Sequence, residues 1–205
     1  MANISFNPAL MTSPQNTFIL ETQGFMQGLT QQDWASRAWL ESGIVASTVT
    51  QPIWGGLGVL IDTANAAVND NRQGPTISPA STTQINGFTV FDQAINMVQV
   101  PGNNVAVATA GQSVAFYNFG SNARIPVPIA SGTLSSFEGV SRSTPLYWDT
   151  VNFCLTVTSG ADTVALPSAT KIASINAANS KTVSYNSSTG AVTWLSGQAC
   201  ALIII

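Results

Sequence analysis

From Gly87 to its C-terminus, the chain is a succession of short β-favouring runs separated by turn residues. That pattern confines this part of the molecule to an all-β body. Phe88-Thr-Val-Phe alternates behind an Asn86-Gly87 turn signal. Pro101-Gly-Asn-Asn separates Met97-Val-Gln-Val from Val105-Ala-Val-Ala, and Ser113-Val-Ala-Phe-Tyr-Asn-Phe follows. Arg124-Ile-Pro-Val-Pro-Ile alternates too, but its two prolines cannot donate to a ladder and restrict it to a sheet edge. Tyr147-Trp148 and the run from Val151 are joined through Asp149-Thr150, and Thr163-Val-Ala-Leu stops at Pro167. Lys181 to Leu195 reads as a hairpin turning at Asn186-Ser-Ser-Thr-Gly190. The closing Leu202-Ile-Ile-Ile would aggregate as an exposed edge, so it is expected to lie centrally in a sheet. Strands of this length and spacing predict a mainly β fold with a sandwich or barrel body.

The first half divides differently. Residues 1–29 are polar and irregular, punctuated by Phe6, Leu10, Phe18 and Phe25. Apolar anchors at intervals suit an extended N-terminal arm laid on another surface. Residues 30–62 open with the one short helix expected in the chain, over 30–42. Thr30 is placed to cap it, Asp33 three residues on completes a capping-box variant, and Gly43 ends it. An apolar glycine-rich strand, Pro52-Ile-Trp-Gly-Gly-Leu-Gly-Val-Leu-Ile, follows. Residues 63–86 show weak periodicity and many turn formers, which predicts a long loop. The β-domain then occupies 87–205.

Only 7% of the 205 residues are charged and histidine is absent, against about 25% charged in an average domain. The six cations are dispersed and no two are adjacent, so no basic patch exists for nucleic acid. Without histidine there is no Ser-His-Asp or Cys-His arrangement. No phosphate-loop or dinucleotide motif occurs either. Ser168-Ala-Thr-Lys171 matches a Ser-x-x-Lys pattern but lacks its helical context. Glu138, Asp149 and Asp162 could serve a two-carboxylate glycosidase by residue type, but turn or surface carboxylates are the simpler reading. Asp62 to Asp70 lacks the alternating oxygen ligands of a calcium loop. Cys154 and Cys200 read as buried apolar residues, and they pair only if their strands lie side by side. The expectation is a non-enzyme with no cofactor and no metal. The N-terminus has no basic residue and no secretory signal, and the longest apolar stretches, Ile53 to Ile61 and Cys200 to Ile205, fall short of the roughly 18 residues of a membrane span. Synthesis in a cytoplasm and no membrane partner are expected.

Trp34, Trp39 and Trp54 cluster in sequence, with Arg37 between the first two. Tryptophan and arginine are the residues most enriched at interface hot spots. These four, with the arm residues Phe18 and Phe25, are the candidate interface residues. A local core is the alternative for the tryptophans.

Gly24-Phe-Met-Gln-Gly28, Arg37-Ala-Trp-Leu-Glu-Ser-Gly43 and Pro52-Ile-Trp-Gly-Gly56 resemble the N-terminal region of tailed-bacteriophage capsid cement, or decoration, proteins. Asn86-Gly-Phe-Thr-Val-Phe, Pro101-Gly and Val114-Ala-Phe-Tyr resemble the β-domain that follows in them. The resemblance spans roughly 20–130 and does not extend to the last 70 residues. It implies a structural virion protein, made in a bacterial host cytoplasm, that binds the outside of a phage head. There it would clamp neighbouring major capsid subunits, as a dimer or trimer. Two other readings stand beside it: a glycan- or host-binding fibre or spike module, and the major capsid protein itself. The absence of a long spine helix from the sequence pattern argues against the last.

Overall fold

The computed structural model describes residues 24–30, 37–63, 74–90, 98–99 and 105–205. Their strands are β1 (Glu41–Val45), β2 (Ile53–Trp54), β3 (Gly58–Asp62), β4 (Thr76–Pro79), β5 (Gly87–Thr89), β6 (Val98–Gln99) and β7 (Ala106–Ala108). They continue with β8 (Ser113–Asn118), β9 (Arg124–Pro128), β10 (Tyr147–Asp149), β11 (Cys154–Thr156), β12 (Thr163–Ala165), β13 (Lys171–Asn186) and β14 (Ala191–Ile204). Among the described residues a single 3₁₀ turn, Leu134–Ser136, interrupts them. The chain is mainly β, with a barrel and sheets as its body.

The barrel closes in the order β1-β4-β3-β5-β8, with β8 returning to β1. All its pairings are antiparallel except β1 with β4, where Ile44 and Val45 oppose Thr76 and Ile77. Four successive residues of β8, Val114 to Tyr117, are buried, so both of its faces are covered. The β11-β10-β12 sheet packs on the barrel at the neighbouring β5, where Trp148 meets Phe88 edge to face at 5.1 Å. A further small sheet runs β2-β7-β6.

Three expected boundaries move. β1 begins at Glu41, inside the helix expected over 30–42. Arg37 is helical, but Glu41 and Ser42 already pair with Phe116 and Ala115. The ladder to β8 overrides the local helical pattern, while residues 31–36 lie outside the described residues. β4 falls within the expected loop 63–86, and its single buried residue, Ile77, gives too little alternation to mark a strand. A boundary at residue 87 cuts the barrel, since β1 and β3 close it with β5 and β8.

The last third forms the third sheet, β13-β14-β9. Leu202 to Ile204 sit centrally, between Lys171–Ser174 on one side and Arg124–Pro126 on the other. β9 is the edge, as its prolines required. β13 and β14 form a long hairpin whose turn is set by Asn186. Its side-chain oxygen accepts the N–H groups of Ser188 and Thr189 at 2.9 and 3.2 Å. Three register irregularities lie between Ile172 and Thr182. They bend the strand and discourage edge pairing.

The N-terminal residues Phe25 to Gly28 stitch these parts together. Phe25 N–H donates to Ser180 Oγ (3.0 Å), Lys181 N–H to Phe25 C=O (2.8 Å), and Gln27 N–H to Lys181 C=O (2.9 Å). Gly28 N–H reaches Pro126 C=O on β9 at 2.9 Å. Buried Gln27 accepts Val183 N–H at 2.7 Å and donates to Gly56 C=O at 3.4 Å. The Gly55-Gly56 turn is fixed from the other side by buried Thr89. Its hydroxyl donates to Trp54 C=O (2.6 Å) and accepts Leu57 N–H (3.1 Å). Gly28 and Gly56 both have positive φ, 75° and 77°, and their backbones touch, so neither position has room for a Cβ.

Candidate functional site

The sequence-predicted interface residues go to different places. Phe18 and Trp34 lie outside the described residues. Phe25 is half-buried in the stitch along β13. Arg37 and Trp39 share the exposed turn that leads into β1, and Trp39 is 62% exposed. Trp54 is wholly buried, which corrects its assignment as a contact residue. Its strand is paired with β7 and its ring belongs to the common core, the alternative already open in the sequence.

Trp54 nevertheless supports a surface feature. Phe153 meets it edge to face at 5.2 Å, and Tyr185 lies against it at 5.5 Å with a 37° tilt. Phe153 and Tyr185 are themselves 6.2 Å apart. Both half-buried rings line a groove of about 520 Å³ between the β13–β14 hairpin, the β10–β11 turn and residues 128–131. The end of β9 runs along this groove: its ladder with β14 reaches Pro128, opposite Cys200. Past it, Ile129 N–H still donates to Ala199 C=O of β14 (3.2 Å), while Ile129 also bridges to Leu155 of β11 and Ala130 N–H donates to Leu155 C=O (3.1 Å).

The β10–β11 turn is rigid. Asp149 Oδ1 accepts the N–H groups of Val151 (2.9 Å) and Asn152 (2.7 Å), and Oδ2 accepts Asn152 Nδ2 (2.8 Å). Phe153 is held at φ 53°, a conformation non-glycine residues seldom adopt. The connection is therefore Thr150–Phe153, longer than the Asp149-Thr150 step expected from sequence. Val151 is left 60% exposed on one rim, and Leu195 of β14 is 43% exposed within the lining. Buried Cys154 has its thiol pushed up to about 12, first by burial and then by the Asp149 carboxylate.

Asp149 thus acts as a turn cap, while Glu138 and Asp162 are exposed. Among the described residues no group of three or more Cys, Asp and Glu could hold a metal ion. Both cysteines are free and buried. A second, smaller hollow of about 210 Å³ lies between Phe137, Arg142 and the start of β13. The residues that sequence reasoning missed are Tyr185, Phe153, Val151 and Leu195. Their one early signal is an apolar Val151 beside Asp149 and Asn152, residues that favour turns.

No protein-family model matches this chain, and neither a curated protein nor a solved structure matches it. No described helix is long and apolar enough to cross a membrane.

Proposed function

We propose that the chain is a non-catalytic structural protein of a phage virion, which binds the outside of the head and cements neighbouring major capsid subunits. The observation that carries this reading is a set of exposed apolar side chains on a β-body with few charges. Trp39, Val151 and Leu195 stand out from a surface with few charges to keep neighbours away. The hydrogen-bonded stitch at Phe25–Gly28 follows directly on residues 1–23, so an arm there laid on a neighbour would pull on a fixed point. Each such contact is modest, and repetition over a shell multiplies it. The test is to add the purified chain to heads stripped of it. Saturable co-sedimentation and a raised temperature of head disruption support the reading; no binding at any concentration overturns it.

One observation favours a second reading, a glycan-binding fibre or spike module. Tyr185 shares its groove with Asp149 and Asn152, an aromatic ring beside polar groups. Glycan-array binding without affinity for heads would select it.

A further inference from the structure

Two parts of this surface are complementary. The turn before β1 presents an exposed indole, Trp39, with the exposed guanidinium of Arg37 two residues earlier. The groove presents two aromatic rings, apolar rims at Val151 and Leu195, and a single acidic group, Asp149. Among the described residues only four large hydrophobic side chains are exposed, and three of them belong to one or other of these features. Trp39 does not line the groove of its own chain.

We propose that the groove is the docking site for the Arg37–Trp39 turn of a second copy of this chain. Arg37 puts a cation beside the knob and Asp149 an anion at the groove, while the acid on the other side of Trp39, Glu41, is engaged by Asn118 Nδ2 at 2.7 Å. The sizes match as well. About 520 Å³ lies within the range of sites that enclose small-molecule-sized groups, so an indole enters with room for its flanking backbone. The incoming ring would stack against Phe153 and Tyr185, which buried Trp54 holds in place. Among the described residues Asp149 Oδ2 accepts only Asn152 Nδ2 and keeps acceptor capacity for a guanidinium. Donor and acceptor surfaces differ, so two copies either exchange knobs reciprocally about a two-fold axis or join head to tail. In the head-to-tail case, successive copies close into a ring or continue as an open chain. This contact goes beyond the shell-binding reading, because it would form between purified chains with no head present.

The experiment is sedimentation velocity of the purified full chain from about 1 µM to about 1 mM, with two variants. Trp39→Glu destroys the knob and Leu195→Arg the groove. Both positions are exposed, so circular dichroism should match the wild type. The wild type should associate, and each variant alone should weaken association by at least about 30-fold. Mixing the two variants should restore a single 1:1 heterodimer, since each supplies the surface the other lacks. Raised salt should weaken the wild-type contact, and Arg37→Gln should reduce that salt dependence. Should the charged variants lose the fold, Trp39→Ser and Val151→Ser probe the same two surfaces. The proposal is overturned if the wild type stays monomeric throughout, if Trp39→Glu associates like the wild type, or if the mixture remains monomeric. It is equally overturned if Leu195→Arg abolishes glycan binding while association survives. Because heads are absent, a failure here leaves the co-sedimentation result standing, and the reverse also holds.

Discussion

At the scale of single residues, Gln27 holds more of the molecule together than its position near the N-terminus suggests. Replacing it with alanine leaves a Val183 N–H and a Gly56 carbonyl without their partner in a buried setting. Stranded groups of this kind cost about 1–3 kcal/mol. Gln27→Ala should therefore lower Tm by roughly 3–10 °C in a domain of this size, as followed by differential scanning calorimetry. Gly28→Ala should cost about 2 kcal/mol or more, since a Cβ there meets Gly55 and the backbone is left-handed. Gly74→Ala, with nothing within 4 Å, is the neutral control. The cysteines give a pH signature. Burial raises both thiols, Cys154 from 9.0 to about 12. The folded state therefore keeps its thiol protons where the unfolded chain releases them. The stability this contributes is complete below pH 9 and is lost as pH rises from 9 toward 12. Cys200→Ala should flatten that decline in denaturant titrations. At pH 8 a thiol reagent should label native protein slowly and denatured protein at both sites.

At the scale of elements, the decisive piece is the end of β14, with Ile203 fully buried between β13 and β9. Ile203→Ala should destabilise the fold by about 2–5 kcal/mol, read from the shift of a urea midpoint at unchanged slope. The central position of Leu202-Ile-Ile-Ile was legible in the sequence because an exposed apolar strand is not tolerated. β9 was legible as an edge because Pro126 and Pro128 cannot donate, and the 186–190 turn because Asn and Gly carry its geometry. The rest was hidden for physical reasons. β1 is a strand by virtue of its ladder with β8, seventy residues away in pattern as well as in chain, and no local periodicity announces that. β4 has one inward residue to show. Trp54 belongs to a strand of two residues, too short to reveal whether its ring points to the core or to solvent. The groove was invisible because Tyr185, Phe153 and Leu195 converge only after the hairpin folds over the β10–β11 turn.

At the scale of the whole molecule, the shortage of charge and the layout of the surface point the same way. A surface of neutral hydrogen-bonding residues resists neither a like copy nor a larger assembly, and a charge buried unpaired in such contacts would be costly. The barrel and its sheets share one core, so the exposed knob and the aromatic groove are displayed on a single body. In the proposed role the protein would act through copy number. The most direct measurement is quantitative mass spectrometry of purified particles, counting this chain against the major capsid protein. The cement reading predicts copies in fixed proportion to the shell subunits. Absence from the particle, or only a handful of copies as in a fibre or spike, would contradict it.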